Sequence, residues 1–244
     1  MDIFERVKTL LFNPKKEWTI IEAENAPQQK VFFSHLLILA LIPAAAIFFK
    51  YWWTWHSAYT DLISQMSGFN DNMDYILESA KAQMPFNTKF GIIAAAEQLL
   101  LIIGGAYIAA VVINAFSNQF GVEKNFNRAF ALVAYSFTPL CVAGILYIFD
   151  PLAWLVPYLG LYGFLLLYHG TTPLLKPAED KKSSCFVIAI IIVFATWMLL
   201  EKAVIPEVKK QIYIAESKAA WKKANPGLNI DYKQIEKEMR KKRY

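Results

Sequence analysis

Charged residues are nearly missing from five long stretches of this sequence, although they make up 18% of its 244 residues. Lys50 and Glu97 are the two formal charges within these stretches. The stretches cover residues 31–53, 90–116, 129–149, 151–169 and 184–200. Because a bilayer core of about 30 Å needs about 20 apolar helical residues, the pattern predicts an all-α, polytopic integral membrane protein with five transmembrane helices.

Residues that build catalytic and metal sites are also scarce. The three histidines, His35, His56 and His169, lie far apart, and we expect them at membrane boundaries rather than in one metal site. We find no Gly-rich phosphate loop, His-Glu-x-x-His motif or Gly-x-Ser-x-Gly elbow. Cys141 and Cys185 lie in or beside apolar stretches, which favours small apolar side chains over a disulfide or metal site. The sequence therefore predicts no enzyme activity and no cofactor.

The segment from 54 to 89 is the longest connection between apolar stretches, and it is predicted to contain one or two short helices. Its acidic residues are Asp61, Asp71, Asp74 and Glu78. A divalent-cation site is one interpretation of this cluster. The residues lack EF-hand spacing and its central glycine, so we favour a solvated acidic loop.

Residues 1–30 form a charged arm before the first stretch. Ile3, Phe4, Val7, Leu10 and Leu11 predict the apolar face of a helix over 3–12, with Glu5, Arg6 and Lys8 away from it. Asn13 and Pro14 predict the start of a second helix. One interpretation is an interfacial arm, with Phe4, Leu11 and Trp18 at the membrane interface. The alternative is an arm packed on the protein's own cytoplasmic surface.

The apolar stretches contain features that predict their packing. Trp52 and Trp53 mark the membrane exit of the first stretch. Small residues four apart, among them Gly105 and Ala109, predict the second stretch as the central packing helix. The third and fourth stretches predict a hairpin kinked at Pro139 and Pro157. Tyr135, Ser136, Thr138, Tyr158 and Tyr162 are its candidate polar residues, and they predict an internal polar crevice.

Glu97 lies about 10 Å along the second stretch, beside Gln98. A carboxylate at that depth must be protonated, paired or in contact with a wet cavity. The functional interpretation is a proton- or ion-linked site. The structural interpretations are a hydrogen bond to a neighbouring helix or a carboxylate that reaches the interface.

Lysine and arginine counts near the spans predict the orientation. When the whole arm is counted, but only those tail residues within about 15–20 residues of the last span, ten such residues lie on the side of a cytoplasmic N-terminus, against six on the other. This favours a cytoplasmic N-terminus and an external C-terminus. The chain is thus divided into an arm (1–30), a membrane domain (31–200) and a basic helical tail (201–244).

Three ordered motifs resemble the Yip1 family in its bacterial form. They are Asn-Pro-Lys-Lys-Glu-Trp at 13–18, Ala-Tyr-Ser-Phe-Thr-Pro at 134–139, and Leu-Tyr-Gly with Leu-Tyr-His-Gly at 161–170. The resemblance covers about residues 1–200 and implies five membrane helices and a cytoplasmic N-terminus. Eukaryotic members of the family resemble partners of small Rab-type GTPases. Their acidic Asp-Leu-Tyr-Gly-Pro-like stretch is not found here, which argues against a GTPase partner.

Two functional hypotheses follow. The first is a non-enzymatic scaffold or adaptor in membrane organisation or trafficking-like processes, with the lipid bilayer and unidentified proteins as partners. The second is a small transporter or channel component that uses Glu97 and the kinked hairpin. We favour the scaffold because the stretches contain one carboxylate and no strong repeat. We expect no nucleic-acid partner.

Overall fold

The computed structural model describes the backbone of residues 2–66 and 73–203, and the side chains of 2–53, 91–149, 151–200 and 202. The chain divides into two units, Met1–Leu200 and Glu201–Tyr244. Only residues 201–203 of the second unit lie within the described part, so the predicted tail helix lies outside it. The described residues are helical and contain no strand.

The arm folds into two helices, as the sequence predicts. Helix α1 covers Ile3–Phe12 and helix α2 covers Pro14–Glu24. Asp2 caps α1 by accepting a hydrogen bond from the Ile3 amide. Asn13 occupies the N-cap position of α2 but makes no capping bond with its side chain, and Pro14 opens the helix. Proline suits that position because the first-turn amides have no intrahelical acceptor.

The first apolar stretch continues directly from the arm. Helix α3 covers Gln28–Val31, a π-helical turn covers Phe32–Leu36, and helix α4 covers Leu37–Met66. Helix α5 covers Met73–Phe116. The described backbone between the first two apolar stretches, residues 54–66 and 73–89, therefore extends the two long helices rather than forming separate short ones. The acidic side chains predicted as a solvated cluster lie outside the described side chains.

The second half of the domain is broken into shorter pieces. Helix α6 covers Phe126–Ser136 and α7 covers Thr138–Ala143, with the break at Phe137 just before Pro139. Two 3₁₀ turns, Gly144–Ile148 and Asp150–Leu152, then reverse the chain. Helix α8 covers Leu155–Gly160, α9 covers Tyr162–Leu175 and α10 covers Lys182–Ala203. The break at Phe137 lies two residues before Pro139, which cannot donate a backbone hydrogen bond to the preceding turn, whereas Pro43 and Pro173 lie inside continuous helices.

Four helical segments are long and apolar enough to cross a membrane within the described residues. They are Gln28–Trp53, Gly91–Phe120, Phe126–Ile148 and Glu179–Leu200. The predicted fourth span at 151–169 is not among them. The chain there forms α8 and α9, separated at Leu161. The five-span count thus requires α8 and α9 to cross together.

Helix α6, rather than α5, lies at the centre of the described helices. It packs against α5, α9 and α3, and all its residues from Ala129 to Ser136 are buried. Helix α5 packs against both α4 and α6. Its small residues Gly105, Ala106, Ala109 and Ala110 are buried, as expected for close helix packing in lipid.

The arm packs against the membrane helices instead of extending away from them. Helix α2 packs against α9, and the side chains of Leu10 and Trp18 are fully buried. A Cβ atom at Gly170 would lie 2.7 Å from the Trp18 ring, so the two helices meet where α9 has no side chain. Of the two interpretations of the arm, this is packing on the protein's own surface.

Candidate functional site

A partly buried ionic network holds the arm to the centre of the fold. The guanidinium of Arg6, on α1, donates a hydrogen bond of 2.9 Å to Glu24 Oε2 and another of 2.9 Å to the Tyr135 hydroxyl. A second guanidinium nitrogen bonds the other Glu24 oxygen. Arg6 Nε lies 3.4 Å from Glu17 Oε1. One arginine therefore connects α1, α2 and α6, and we name Arg6, Glu17, Glu24 and Tyr135 the arm latch.

Burial of Arg6 and Glu17 changes the pKa values of the groups in this network. Arg6 is 7% exposed and Glu17 is fully buried. Burial works against the charged form of Arg6, but its hydrogen bonds to Glu24 and Tyr135 outweigh that effect and raise the pKa of the guanidinium. The hydrogen bonds from Arg6 to Glu24 lower the pKa of Glu24, and the nearby charges of Arg6 and Lys30 add to the effect. The bidentate pair between Arg6 and Glu24 is the strong part of the latch.

Glu17 is the weak part of the latch. Burial raises the pKa of its carboxyl group, and this outweighs the opposing attraction of Arg6. Neither carboxylate oxygen has a hydrogen-bond partner among the described residues. A buried carboxylate without such partners costs free energy in its charged form. Protonation of Glu17 is therefore favoured by the docked arm.

His35 continues the network into the membrane helices. Its Nε2 lies 2.9 Å from Thr138 Oγ1, and that hydroxyl donates its proton to the Tyr135 carbonyl at 2.7 Å. Since the hydroxyl has one proton, it must accept from His35, so Nε2 carries hydrogen and Nδ1 is the acceptor of the neutral ring. The Nδ1 atom is buried and has no partner among the described residues.

A polar cavity of about 120 Å³ lies beside the latch. Its polar lining comes from the arm, from the start of the first span and from α6. The lining residues with polar side chains are Arg6, Glu24, Lys30, Ser34, His35 and Tyr135. Lys30 and Ser34 are exposed, so the cavity reaches the protein surface. The arrangement can bind a small polar group with both donors and acceptors.

The structure separates the polar residues predicted for the hairpin. Tyr135 and Thr138 belong to the network just described. Ser136 instead lines a second cavity of about 200 Å³, whose walls are mostly apolar side chains of α7, α8, α9 and α10. Tyr158 is exposed, and Tyr162 donates a 2.7 Å hydrogen bond to the Leu11 carbonyl. These five residues therefore do not form one crevice.

Glu97 and Gln98 lie on α5, away from both cavities. Glu97 is partly buried and Gln98 is buried. Neither residue is part of the arm latch, and neither lines one of the two cavities described above.

The predicted membrane-interface residues fall into three groups. Trp18 is buried against Gly170 and Tyr135, so the protein shields its side chain from lipid. Phe4 is 70% exposed and Leu11 is partly exposed. Trp52 and Trp53 are exposed at the far end of the first span, where aromatic rings are common.

The sequence analysis missed Arg6, Glu17, Glu24 and His35. Arg6 was expected away from the apolar face of α1, but it is buried beside Leu10. A signal was present, because positions 3, 6 and 10 share a helical face. Glu17 and Glu24, seven residues apart, likewise share a face near Trp18 and Ile21. His35 was expected at a boundary, and the π-helical turn at Phe32–Leu36 contains it instead, buried.

Comparison with known proteins identifies the family. The model of the Yip1 domain matches residues 8–200, which is 193 of the 244 residues. The chain therefore belongs to the Yip1 family. No curated protein and no solved structure matches it. Arg6 lies just before the matched residues, whereas Glu17, Glu24, His35 and Tyr135 lie within them.

Proposed function

We propose that this Yip1-family protein is a non-enzymatic membrane scaffold or adaptor whose arm presents a docking face at the cytoplasmic side of the membrane. The observation that carries this proposal is the arm latch, which holds α1 and α2 in one position on the membrane helices. A fixed arm offers a preorganised surface, and preorganisation lowers the entropy cost of binding.

The outer face of the arm has the composition of a docking surface. Phe4 is 70% exposed and Phe12 is 84% exposed. Lys8, four residues from each of these aromatic residues on α1, is also exposed, as is Lys15 at the start of α2. Exposed aromatic rings beside basic residues suit a protein partner or anionic lipid headgroups.

We also propose five membrane crossings, with the N-terminus cytoplasmic and the C-terminus external. The Ala178 amide donates a hydrogen bond to the Phe120 carbonyl, and Lys176 pairs with Glu22 at 2.6 Å. These contacts support a topology in which the C-terminal end of α9, the C-terminal end of α5 and the arm lie on the same side of the membrane. Helices α8 and α9 then cross together, and Leu155–Leu175 spans about 31 Å if fully helical.

Charge supports this orientation. The end of the fold that contains these contacts carries Lys124, Arg128, Lys176, Lys181 and Lys182, together with the lysines of the arm. An excess of lysine and arginine marks the cytoplasmic side of a membrane protein. Cysteine labelling at Lys124→Cys and at Leu152→Cys in intact cells tests the topology. Labelling of Lys124→Cys by an impermeant reagent, with Leu152→Cys protected, would overturn it.

The transporter hypothesis has less support. It requires a polar route that joins Glu97 to the hairpin, and the cavity at the hairpin is mostly apolar and does not include Glu97. Reconstituted vesicles test the two functions directly. The scaffold predicts no proton or ion flux above empty vesicles. A pH-dependent flux that Glu97→Gln abolishes, in a variant with unchanged thermal stability, would replace the scaffold by a transporter.

The docking face is tested by photocrosslinking in native membranes. A crosslinker at Phe4 or Phe12 should give a discrete protein adduct, whereas one at Ile191, an exposed position on α10, should not. Arg6→Met should reduce the arm adducts because the arm loses its fixed position. Equal adducts at all three positions would contradict a specific docking face.

A further inference from the structure

We propose that the polar cavity beside the arm latch binds the headgroup of an aminophospholipid, a phosphate joined to a protonated amine. The cavity, of about 120 Å³, lies between the arm and the start of the first span. Because one water-sized atom needs about 10–15 Å³ of such volume, it has room for about the eight heavy atoms of a phosphoethanolamine group.

The acceptors of the cavity call for an amine. The hydrogen bond from His35 to Thr138 leaves Nδ1 of the neutral ring as a buried acceptor without a partner among the described residues. Glu24 adds carboxylate oxygens to the lining. A buried acceptor gains free energy from a ligand that brings an N–H donor. An ammonium group with at least one N–H supplies that donor, and a quaternary ammonium does not.

The donors of the cavity call for a phosphate. Lys30 contributes an ammonium at the exposed side of the cavity. The Tyr135 hydroxyl accepts a hydrogen bond from Arg6, which leaves its own proton to donate. A zwitterionic ligand matches a lining in which Arg6 and Lys30 face Glu24.

The surface below the cavity favours a lipid over a soluble ligand. Ser34 lies at the cavity and is exposed, and further exposed residues follow it at helical spacing down the first span. They are Ile38, Leu41, Ala45 and Phe49. This acyl-chain track begins where the headgroup would bind, so a lipid gains contacts that a free headgroup lacks. The inference shares Arg6 and Glu24 with the proposed docking role, but its test leaves the latch intact.

Native mass spectrometry of the delipidated full-length protein in detergent tests the amine. The probes are phosphatidylethanolamine, its N-methyl and N,N-dimethyl forms, phosphatidylcholine and phosphatidic acid, all with the same acyl chains. We expect binding to persist through the dimethyl form, which retains one N–H, and to fall at least tenfold for phosphatidylcholine. Equal binding of phosphatidylcholine, or tighter binding of phosphatidic acid, would overturn the proposal.

Two variant pairs locate the site. Lys30→Met and Ser34→Trp should each lower phosphatidylethanolamine binding at least fivefold, whereas Lys124→Met and Ser183→Trp, outside the cavity, should not. Melting temperatures without lipid check that all four variants fold. The matched pairs are the two Lys→Met variants and the two Ser→Trp variants. If the two members of either pair lowered binding equally, the lipid would bind elsewhere. If soluble phosphoethanolamine bound as tightly as the lipid, this would contradict the proposed contacts of the acyl chain with the first span.

Discussion

The two faces of α6 differ in whether their polar side chains have hydrogen-bond partners among the described residues. Tyr135 faces the arm latch, where its hydroxyl accepts a hydrogen bond from Arg6. Its neighbour Ser136 lines the mostly apolar cavity, and its hydroxyl has no partner among the described residues. Adjacent residues on one helix thus belong to a polar and an apolar environment. The comparison teaches that the polar chemistry of this domain was placed under the arm and not in the hairpin.

Of the changes considered, removal of the Arg6 guanidinium should weaken docking of the arm the most. Arg6→Met leaves buried Glu17 and partly exposed Glu24 without their cation. Loss of one partner of a fully buried ion pair costs about 3–5 kcal/mol, which is an upper bound here because solvent screens Glu24. We expect the arm to undock, which limited proteolysis and hydrogen exchange of α1 and α2 will detect. Lys8→Met, at an exposed position of the same helix, is the control. Equal protection of the two variants would show that the latch does not hold the arm.

A methyl group between the arm and α9 should have an effect of similar size to the loss of a single hydrogen bond to Arg6. In Gly170→Ala the new Cβ atom meets the Trp18 ring at 2.7 Å and Leu132 at 2.6 Å. Overpacking of this kind costs about 1–3 kcal/mol, so exchange of α2 should accelerate about tenfold or more. At Gly104 the nearest contact is 4.0 Å away, and Gly104→Ala should leave exchange of the arm unchanged. Similar behaviour of the two variants would argue against tight packing at Trp18.

The adjacent pair on α6 gives the most direct comparison. Tyr135→Phe removes an acceptor of the buried guanidinium and should weaken arm docking by about 1.5–3 kcal/mol, the usual cost for a bond to a charged group. Ser136→Ala removes a hydroxyl without a partner among the described residues and should be neutral or slightly stabilising. Thermal unfolding in detergent with exchange of α2 measures both. A larger loss for Ser136→Ala would reverse the assignment of the two environments.

A change of pH should alter the docking of the arm less than substitution of Arg6, Gly170 or Tyr135. Burial raises the pKa of Glu17, so its charge opposes docking at neutral pH and this cost is relieved as the pH falls through its raised pKa. Arg6 lowers the pKa of Glu24, so its contribution is complete above its ordinary pKa and is lost as the pH falls through the lowered value. Arm protection should therefore rise on mild acidification and fall in stronger acid.

Glu17→Gln separates the two groups in that pH profile. The variant should abolish the rise on mild acidification and keep the later loss, because Glu24 is unchanged. Protease protection of the arm between neutral and acidic pH measures both limbs. A rise that persists in Glu17→Gln would assign it to a different group.

Parts of this architecture were predictable from local sequence. The helix boundaries of the arm followed from amphipathic spacing and from Pro14, and the break before Pro139 followed from the missing amide. The burial of Arg6 was not predicted because the helical pattern of α1 placed Arg6 away from the apolar face. Its two carboxylate partners are 11 and 18 residues away in sequence, and its hydroxyl partner is 129 residues away. No local pattern specifies such contacts.

The sequence by itself determined that this is a Yip1-family chain with several apolar, membrane-capable helices. Transfer of a segment into lipid depends on the sum of its own residues, so length and composition suffice. Only the tertiary structure decided that the arm docks on α9, that Trp18 is shielded from lipid and that Arg6, Glu24, His35 and Tyr135 surround one cavity. Those outcomes depend on which side chains meet in space, because a buried charge is stable only beside its partners.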